Sequence, residues 1–99
     1  MAIKRVAVIG ASGYGGLQSL RLLQAHPNFE IGLLGGERSA GKRWSELCPF
    51  LPLPDDPLVE SPEPSRIAER ADVAILSLPN GLASGLAPEL LERGVRVVD

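Results

Sequence analysis

The sequence is short of the residues that cross-link a chain or bind a metal ion. Its 99 residues include one cysteine and one histidine. A single cysteine excludes an internal disulfide, and because the N-terminus carries no export signal we expect the protein in the cytoplasm. No paired cysteines, no His/Glu metal spacing and no Gly-x-Ser-x-Gly nucleophile motif occur. The sequence therefore predicts no metal site.

Strong charge and long apolar runs are also lacking. Charged residues make up 22% of the chain and the net charge is −2, with no basic stripe that would indicate a nucleic-acid partner. No apolar run approaches the length that crosses a membrane, so we expect no membrane partner. The hydrophobic share of 44% is that of an ordinary globular protein, and the length suits one small domain.

What the sequence does have is an alternation of strand and helix patterns. Strands are predicted at 3–9, 29–34, 72–78 and 95–99, and helices at 14–25, 64–70 and 82–93, with a short helical turn near 43–47. Pro88 either starts a second helix or lies near a first turn, where proline is tolerated. The alternation predicts an α/β fold. A complete doubly wound domain has about six strands, so we expect a truncated, N-terminal part of a longer protein.

Prolines crowd the middle of the chain. Their number excludes a central strand or a long helix there. Apolar residues lie among them and need cover, so a surface excursion within one domain is a better interpretation than a linker between two domains. The prolines concerned are Pro49, Pro52, Pro54, Pro57, Pro62 and Pro64.

A glycine-rich turn follows the first strand and leads directly into a helix. A tight turn, a close approach of backbone to phosphate and close packing of helix on strand each favour glycine, and the free N–H groups of the first helical turn attract an anion. The pattern is G-x-x-G-x-x-G, and it predicts a dinucleotide pyrophosphate site. A glycine-rich turn without a ligand is the alternative. The predicted cofactor-binding residues here are Gly10, Ser12, Gly13, Tyr14, Gly15 and Gly16.

Two residues after the second strand bear on the choice of cofactor. Arg38 can form a fork with the 2′-phosphate of NADP, and Ser39 can donate a hydrogen bond to it. Glu37 argues for NAD instead, but it follows the strand by two glycines and can point to solvent. We therefore predict NADP. Arg43 and Glu46, and with them Lys42, are interpreted as a solvated charged loop.

The end of the strand at 72–78 is a second candidate border of the site. Ligands of open α/β sheets bind at the carboxyl ends of the strands, so Leu78, Pro79 and Asn80 are predicted to border the ribose and nicotinamide of the cofactor. A plain β-α turn is the alternative. Cys48 and His26 do not suggest a catalytic pair, because Cys48 lies in the proline-rich excursion and His26 at the end of the first helix, away from the strands' carboxyl ends.

Several motifs occur in an order that resembles one enzyme family. They are VIGASGYGG at 8–16, HPNFEI at 26–31, ERSAGK at 37–42, ADVAILSLPNG at 71–81 and VRVVD at 95–99. Together they resemble the N-terminal part of the N-acetyl-γ-glutamyl-phosphate reductases, within the semialdehyde dehydrogenase superfamily. That family often has histidine where Asn80 stands and serine where Gly36 stands. The lysine-pathway reductases of aminoadipyl phosphate are similar over this region.

The resemblance implies a function for the whole protein. Such enzymes of arginine biosynthesis reduce an acyl phosphate to an aldehyde with NADPH: a cysteine thiolate displaces phosphate, and hydride reduces the thioester. In the family that cysteine and its histidine base lie beyond position 99, so residues 1–99 are expected to be a partial Rossmann-type NADP-binding domain without a catalytic residue and without activity of its own. The missing domain would carry catalysis and homo-oligomer contacts. A non-catalytic NADP-sensing regulator is the alternative from another class.

Overall fold

The chain forms five parallel strands and four helices in a computed structural model that describes residues 3–78 and 82–98, apart from the side chains of 82–84. In chain order the elements are β1 (Lys4–Ile9), α1 (Tyr14–Gln24), β2 (Phe29–Gly35), α2 (Trp44–Leu47), β3 (Val59–Glu60), α3 (Pro64–Arg70), β4 (Val73–Leu76), α4 (Leu82–Glu92) and β5 (Arg96–Val98). The strands lie in the order β3-β2-β1-β4-β5. The predicted α/β doubly wound architecture is confirmed.

The strand order places β1 at the centre of the sheet. β1 pairs with β2 on one side, from Lys4 opposite Phe29 to Ile9 opposite Gly35, and with β4 on the other. From β1 the chain builds the sheet in one direction through β2 and β3, and then returns to add β4 and β5 on the other side of β1. The gap between β1 and β4 is therefore the switch point at which open α/β sheets bind ligands. The fold therefore places the turn after β1 in the middle of the expected binding edge.

Two apolar clusters cover the two faces of this sheet. Successive residues of β1 alternate between them, as a strand buried on both faces requires. Ala7 and Ile9 join a cluster with Ile67 of α3 and Leu90 of α4. Val6 and Val8 join the other cluster, whose remaining buried members are Ala11, Leu20, Leu34, Trp44, Cys48, Leu53 and Val59. The excursion between β2 and β3 thus supplies much of one hydrophobic core, which confirms that it belongs to the domain.

Two sequence predictions need correction. The four expected strands become five, because Val59 and Glu60 pair in parallel with Leu34 and Gly35 at the sheet edge. So short a strand between prolines has no pattern of its own and is fixed by its neighbours. Pro88 neither starts a helix nor lies in a first turn: it lies inside α4. Packing of Leu86, Ala87 and Leu90 on the core offsets the backbone hydrogen bond that proline forgoes.

Candidate functional site

The turn after β1, the loop after β2 and the end of β4 are joined by backbone hydrogen bonds at one edge of the sheet. The Gly35 carbonyl accepts from the N–H groups of Gly10 at 2.8 Å and Ala11 at 3.3 Å. Ser77, just past β4, donates its N–H to the Ile9 carbonyl at 2.8 Å. These bonds bring the glycine turn, the end of β2 and Ser77 together at one edge of the sheet.

Two glycines of the turn, Gly10 and Gly16, are required by the protein's own packing, and a third, Gly15, packs closely against a serine side chain. Gly10 has a φ of +84°, and a Cβ there would overlap the Ser77 carbonyl oxygen. A Cβ at Gly16 would overlap the Gly10 carbonyl oxygen and lie 2.8 Å from the Ala11 Cα. A Cβ at Gly15 would overlap the Ser77 hydroxyl, which would have to rotate away to make room. At Gly10 and Gly16 glycine is explained without any ligand.

Gly13 differs from the other glycines of the turn. Its backbone is extended, with φ −79° and ψ 170°, and any residue can adopt that conformation. The atom closest to a Cβ at Gly13 would be the Gly10 carbonyl oxygen at 3.4 Å, and the residue is exposed. Within the described part of the chain nothing demands glycine here. A ligand that needs to approach the backbone closely would demand it, and this observation favours the pyrophosphate site.

The first turn of α1 offers hydrogen-bond donors to such a ligand. Its N-cap is Gly13, which has no side chain to cap the helix, and no acidic residue lies in the first turn. The N–H groups of Tyr14, Gly15 and Gly16 have no backbone acceptor in the ranges that the structure describes. Ser12 and Tyr14 are exposed beside them, and the Tyr14 hydroxyl accepts from Gln18 Nε2 at 3.3 Å. The residues present fit a bound phosphate group.

The loop after β2 places Arg38 and Ser39 differently. Arg38 is exposed, and the described residues offer its guanidinium no ion pair. Ser39 is only 7% exposed, and its hydroxyl would lie 2.8 Å from a Cβ at Gly36. A side chain at 36, where the resembling family often has serine, would require the Ser39 hydroxyl to rotate away. Glu37 is exposed, so nothing in the described structure holds its carboxylate toward a ribose.

Side chains farther along the chain support this loop. Trp44 is fully buried and its indole N–H donates to the Leu51 carbonyl at 2.7 Å. The Asp56 carboxylate accepts from the N–H of Ser45 at 2.8 Å and from its hydroxyl at 2.7 Å, and these hydrogen bonds lower the pKa of Asp56. The loop itself is connected to β3, because the Lys42 carbonyl accepts from Val59 N–H at 2.9 Å. The sequence analysis did not identify these supports, because their partners are far apart in the chain.

The end of β4 supplies the third group. Leu78 is half-buried and packs against the cluster under α3 and α4, so its backbone rather than its side chain can border a cofactor. Pro79 and Asn80 lie outside the described residues. Ser77, which the sequence analysis did not select, lies against the glycine turn. Its position at the end of an apolar strand was the available signal.

The environments of Cys48 and His26 do not suit a catalytic pair. Cys48 is 3% exposed within an apolar cluster, and burial raises the pKa of its thiol. A buried thiol with a raised pKa is a weak nucleophile. His26 is exposed just beyond α1, and its ring lies 4.6 Å from that of Phe29. The arrangement agrees with a structural thiol and a surface histidine.

A groove of about 650 Å³ lies elsewhere, along the outer edge of β2. Leu23, Phe29, Leu53 and Leu58 are among its lining residues, and the predicted cofactor residues are not.

Among the described residues, no helix is both long and apolar enough to span a membrane.

Comparison with protein families identifies one match over nearly the whole chain. Residues 5–99 match the family described as semialdehyde dehydrogenase, NAD binding domain. The chain is 74% identical over 95 residues to the N-acetyl-gamma-glutamyl-phosphate reductase of Synechococcus sp. (strain CC9605) and 72% identical over 95 residues to that of Prochlorococcus marinus (strain MIT 9313). Each match covers 96% of this chain and 27% of the relative. The chain therefore spans about a quarter of the length of these relatives.

Solved structures are similar as well. Aspartate semialdehyde dehydrogenase with NADP from Candida albicans matches with a TM-score of 0.83 and 31% identity, over 97% of this chain and 29% of that one. Aspartate semialdehyde dehydrogenase II from Vibrio cholerae, complexed with ASA, matches with a TM-score of 0.73 and 26% identity, over 98% of this chain and 30% of that one. The resemblance stated from the sequence motifs is confirmed by these comparisons.

Proposed function

Because the chain belongs to the NAD-binding domains of the semialdehyde dehydrogenases, we propose that it binds NADPH within a longer enzyme that reduces N-acetyl-γ-glutamyl 5-phosphate to its semialdehyde in arginine biosynthesis. When bound, the cofactor supplies the hydride. This chain's residues bind and orient it. The nucleophilic cysteine belongs to residues beyond 99, so the 99 residues alone bind cofactor without turnover.

The geometry of Gly13 carries the cofactor-binding part of this proposal. Glycine is present there although the described protein leaves room for a side chain, and the neighbouring N–H groups of α1 have no backbone acceptor among the described residues. A pyrophosphate seated on Gly10, Ser12, Gly13, Tyr14, Gly15 and Gly16 accounts for both facts. Leu78, Pro79 and Asn80 would border the nicotinamide half of the cofactor.

Arg38 and Ser39 support NADP rather than NAD. The exposed guanidinium has no partner in the described structure, and a 2′-phosphate would give it a bidentate one. The relative from Candida albicans, 31% identical to this chain, was solved with NADP. Glu37 is exposed and two residues past β2, so its carboxylate can remain in water.

Titration of the full-length protein with NADPH and NADH tests the cofactor assignment. The Arg38→Ala variant should bind NADPH more weakly by about 1.5–3 kcal/mol, roughly ten- to a hundredfold, with little change for NADH. Arg21→Ala is the matched control, because Arg21 is also an exposed arginine but lies in the last turn of α1, away from the cofactor edge. Equal weakening of both cofactors by Arg38→Ala would contradict the assignment.

A coupled assay with two acyl phosphates tests the substrate. The reductases that match at 72–74% identity are named for N-acetyl-γ-glutamyl phosphate, which favours it over the aminoadipyl phosphate of the lysine pathway. We expect the full-length enzyme to oxidise NADPH with the first and only slowly with the second. The reverse preference would move the protein to the lysine pathway, and no turnover with either would favour a cofactor-sensing regulator.

The surroundings of the enzyme are part of the same proposal. A biosynthetic reductase of this kind works on a small-molecule substrate, and we expect it in the cytoplasm, without a nucleic-acid or membrane partner. Catalysis and homo-oligomer contacts are assigned to the additional domain. Size-exclusion chromatography with light scattering on the full-length protein measures the oligomeric state, and a monomer would contradict this last expectation.

A further inference from the structure

We propose that the hydroxyl of Ser77 is an additional cofactor-binding group, one that donates a hydrogen bond to the phosphate on the nicotinamide side of the pyrophosphate. The proposal rests on the proposed function, since it assumes a dinucleotide on the glycine turn. It adds to that site a residue from β4's end, across the switch point from Arg38 and Ser39.

The backbone of Ser77 is held from two directions. Its N–H donates to the Ile9 carbonyl at 2.8 Å, and its own carbonyl oxygen lies where a Cβ at Gly10 would be. With the backbone fixed in this way, the side chain extends toward α1. A Cβ at Gly15 would overlap the Ser77 hydroxyl and lie 3.5 Å from the Ser77 Cβ. The hydroxyl is therefore packed against the first turn of α1.

The hydroxyl of Ser77 has no partner of its own in the described protein. Two serine hydroxyls do have one: Ser19 donates to the Gly15 carbonyl at 3.0 Å, and Ser45 donates to Asp56 at 2.7 Å. Ser77 is half-buried, and the described part of the protein leaves no buried side-chain polar atom without a partner, so this hydroxyl is accessible to a ligand. A phosphate oxygen at the N-terminus of α1, already facing the N–H groups of Gly15 and Gly16, would supply the acceptor.

The position of Ser77 in the sheet selects which half of the cofactor it meets. In this fold the dinucleotide crosses the edge at the switch point, with adenosine beside β2. Arg38 and Ser39 follow β2, whereas Ser77 follows β4 on the opposite side of β1. A donor on the β4 side reaches the nicotinamide-side phosphate, and the adenosine-side phosphate lies nearer to β2.

Binding of two ligands to the full-length protein tests this assignment. NADPH contains both phosphates of the pyrophosphate, whereas adenosine 2′,5′-bisphosphate lacks the nicotinamide-side phosphate. The Ser77→Ala variant should bind NADPH about tenfold more weakly, as expected for loss of a hydrogen bond to a charged group, and should bind the bisphosphate as the wild type does. Ser19→Ala is the matched control and should change neither affinity, because its hydroxyl is bonded within α1.

Each other outcome decides against the proposal. Unchanged NADPH binding by Ser77→Ala would show that the hydroxyl makes no cofactor contact. Equal weakening of NADPH and the bisphosphate would indicate that Ser77 only shapes the glycine turn. If the wild-type protein bound neither NADPH nor NADH, the proposed function itself would be wrong, and that result is read from the wild type before any variant is compared.

Discussion

The turn at 10–16 and the loop at 36–43 both face the cofactor edge, but they are built in opposite ways. The turn consists of backbone: other backbone atoms leave no room for a Cβ at Gly10 or Gly16, and the N–H groups at the start of α1 have no backbone acceptor among the described residues. The loop offers the side chains of Arg38 and Ser39, and backbone hydrogen bonds between Gly41 or Lys42 and Val59 connect it to β3. Side-chain substitutions in the loop can leave its backbone path unchanged, whereas side chains added at Gly10 or Gly16 would displace the backbone of the turn.

This difference assigns separate tasks to the two regions. Every dinucleotide has a pyrophosphate, so a site made of backbone binds the part that all cofactors share. The 2′-phosphate distinguishes NADP from NAD, and side chains on a loop are the means of reading it. Substitutions in the turn should therefore disturb folding or all cofactor binding, and substitutions in the loop should alter selectivity or local stability.

The largest effect is expected for Gly10→Ala in the full-length protein. Both a left-handed backbone and an overlap with the Ser77 carbonyl oppose a side chain there, so the free energy of unfolding should fall by more than about 3 kcal/mol. Gly41→Ala is the control in the loop: its φ is +88°, but no atom lies within 4 Å of the added Cβ. Its cost should be about 1–2 kcal/mol. Urea unfolding followed by circular dichroism compares the two, and equal costs would show that the overlap is relieved.

The next effect is on binding rather than folding. Gly13→Val should keep the circular dichroism spectrum of the wild-type protein, because the backbone at 13 suits any residue, but should abolish detectable NADPH binding. Fluorescence titration of the cofactor measures it. A folded variant that binds NADPH normally would remove the pyrophosphate from this turn and leave the glycines as a packing device.

A smaller effect is expected where Asp56 supports the loop. Its pKa lies below the ordinary value of 3.8 because Ser45 donates two hydrogen bonds to its carboxylate. A lowered pKa in the folded state contributes stability above the unfolded pKa that is lost as the pH falls through the folded one. Asp56→Asn should thus lower the Tm at pH 6, and its difference from the wild type should shrink below pH 3.8.

Asp55→Asn is the matched control for that comparison. Asp55 also has a positive φ, of 64°, and its side chain makes no hydrogen bond in the described part of the chain. The variant should follow the wild-type dependence of Tm on pH. If Asp55→Asn and Asp56→Asn lowered the Tm alike at every pH, the hydrogen bonds to Ser45 would not be the source of the effect.

The smallest effect is expected from Cys48→Ala on turnover. The thiol is buried in the core on the excursion's side of the sheet, and burial raises its pKa, so it should not act as the nucleophile. The full-length enzyme should keep its kcat with the acyl phosphate within about twofold, with at most a modest loss of stability from the truncated side chain. A fall in kcat of several orders of magnitude in a folded variant would make Cys48 catalytic.

Local patterns were enough to predict the turn and most of the sheet. The apolar run at 6–9, the four glycines and the helix pattern behind them are contiguous, so their geometry follows from neighbouring residues. Gly94 behaves as expected just past α4, with a φ of +82°. Strand and helix ends moved by a residue or more, as with β4, which spans Val73–Leu76 where 72–78 was expected.

The loop region could be predicted only in outline. β3 exists because Val59 and Glu60 meet Leu34 and Gly35 across the sheet, and Asp56 is held by Ser45 eleven positions earlier. Such contacts depend on where the chain returns to the sheet after the proline-rich excursion. The hydrophobic periodicity of the sequence does not predict that position. Ser77 was missed for a related reason, since its significance lies in its contact with Gly15 and not in its own neighbours.

The carbonyl of Gly35, which accepts hydrogen bonds from both Gly10 and Ala11, has a thermodynamic consequence for the cofactor. It joins the end of β2 to the glycine turn, so the two regions proposed to bind the cofactor's phosphates are held at a fixed spacing. Once one half of a dinucleotide is seated, the other half meets its site at a high effective concentration, because the spacing was already fixed when the protein folded. The protein should therefore bind a complete dinucleotide, whose two charged ends match the distance between the two regions, with much higher affinity than either half of the cofactor alone.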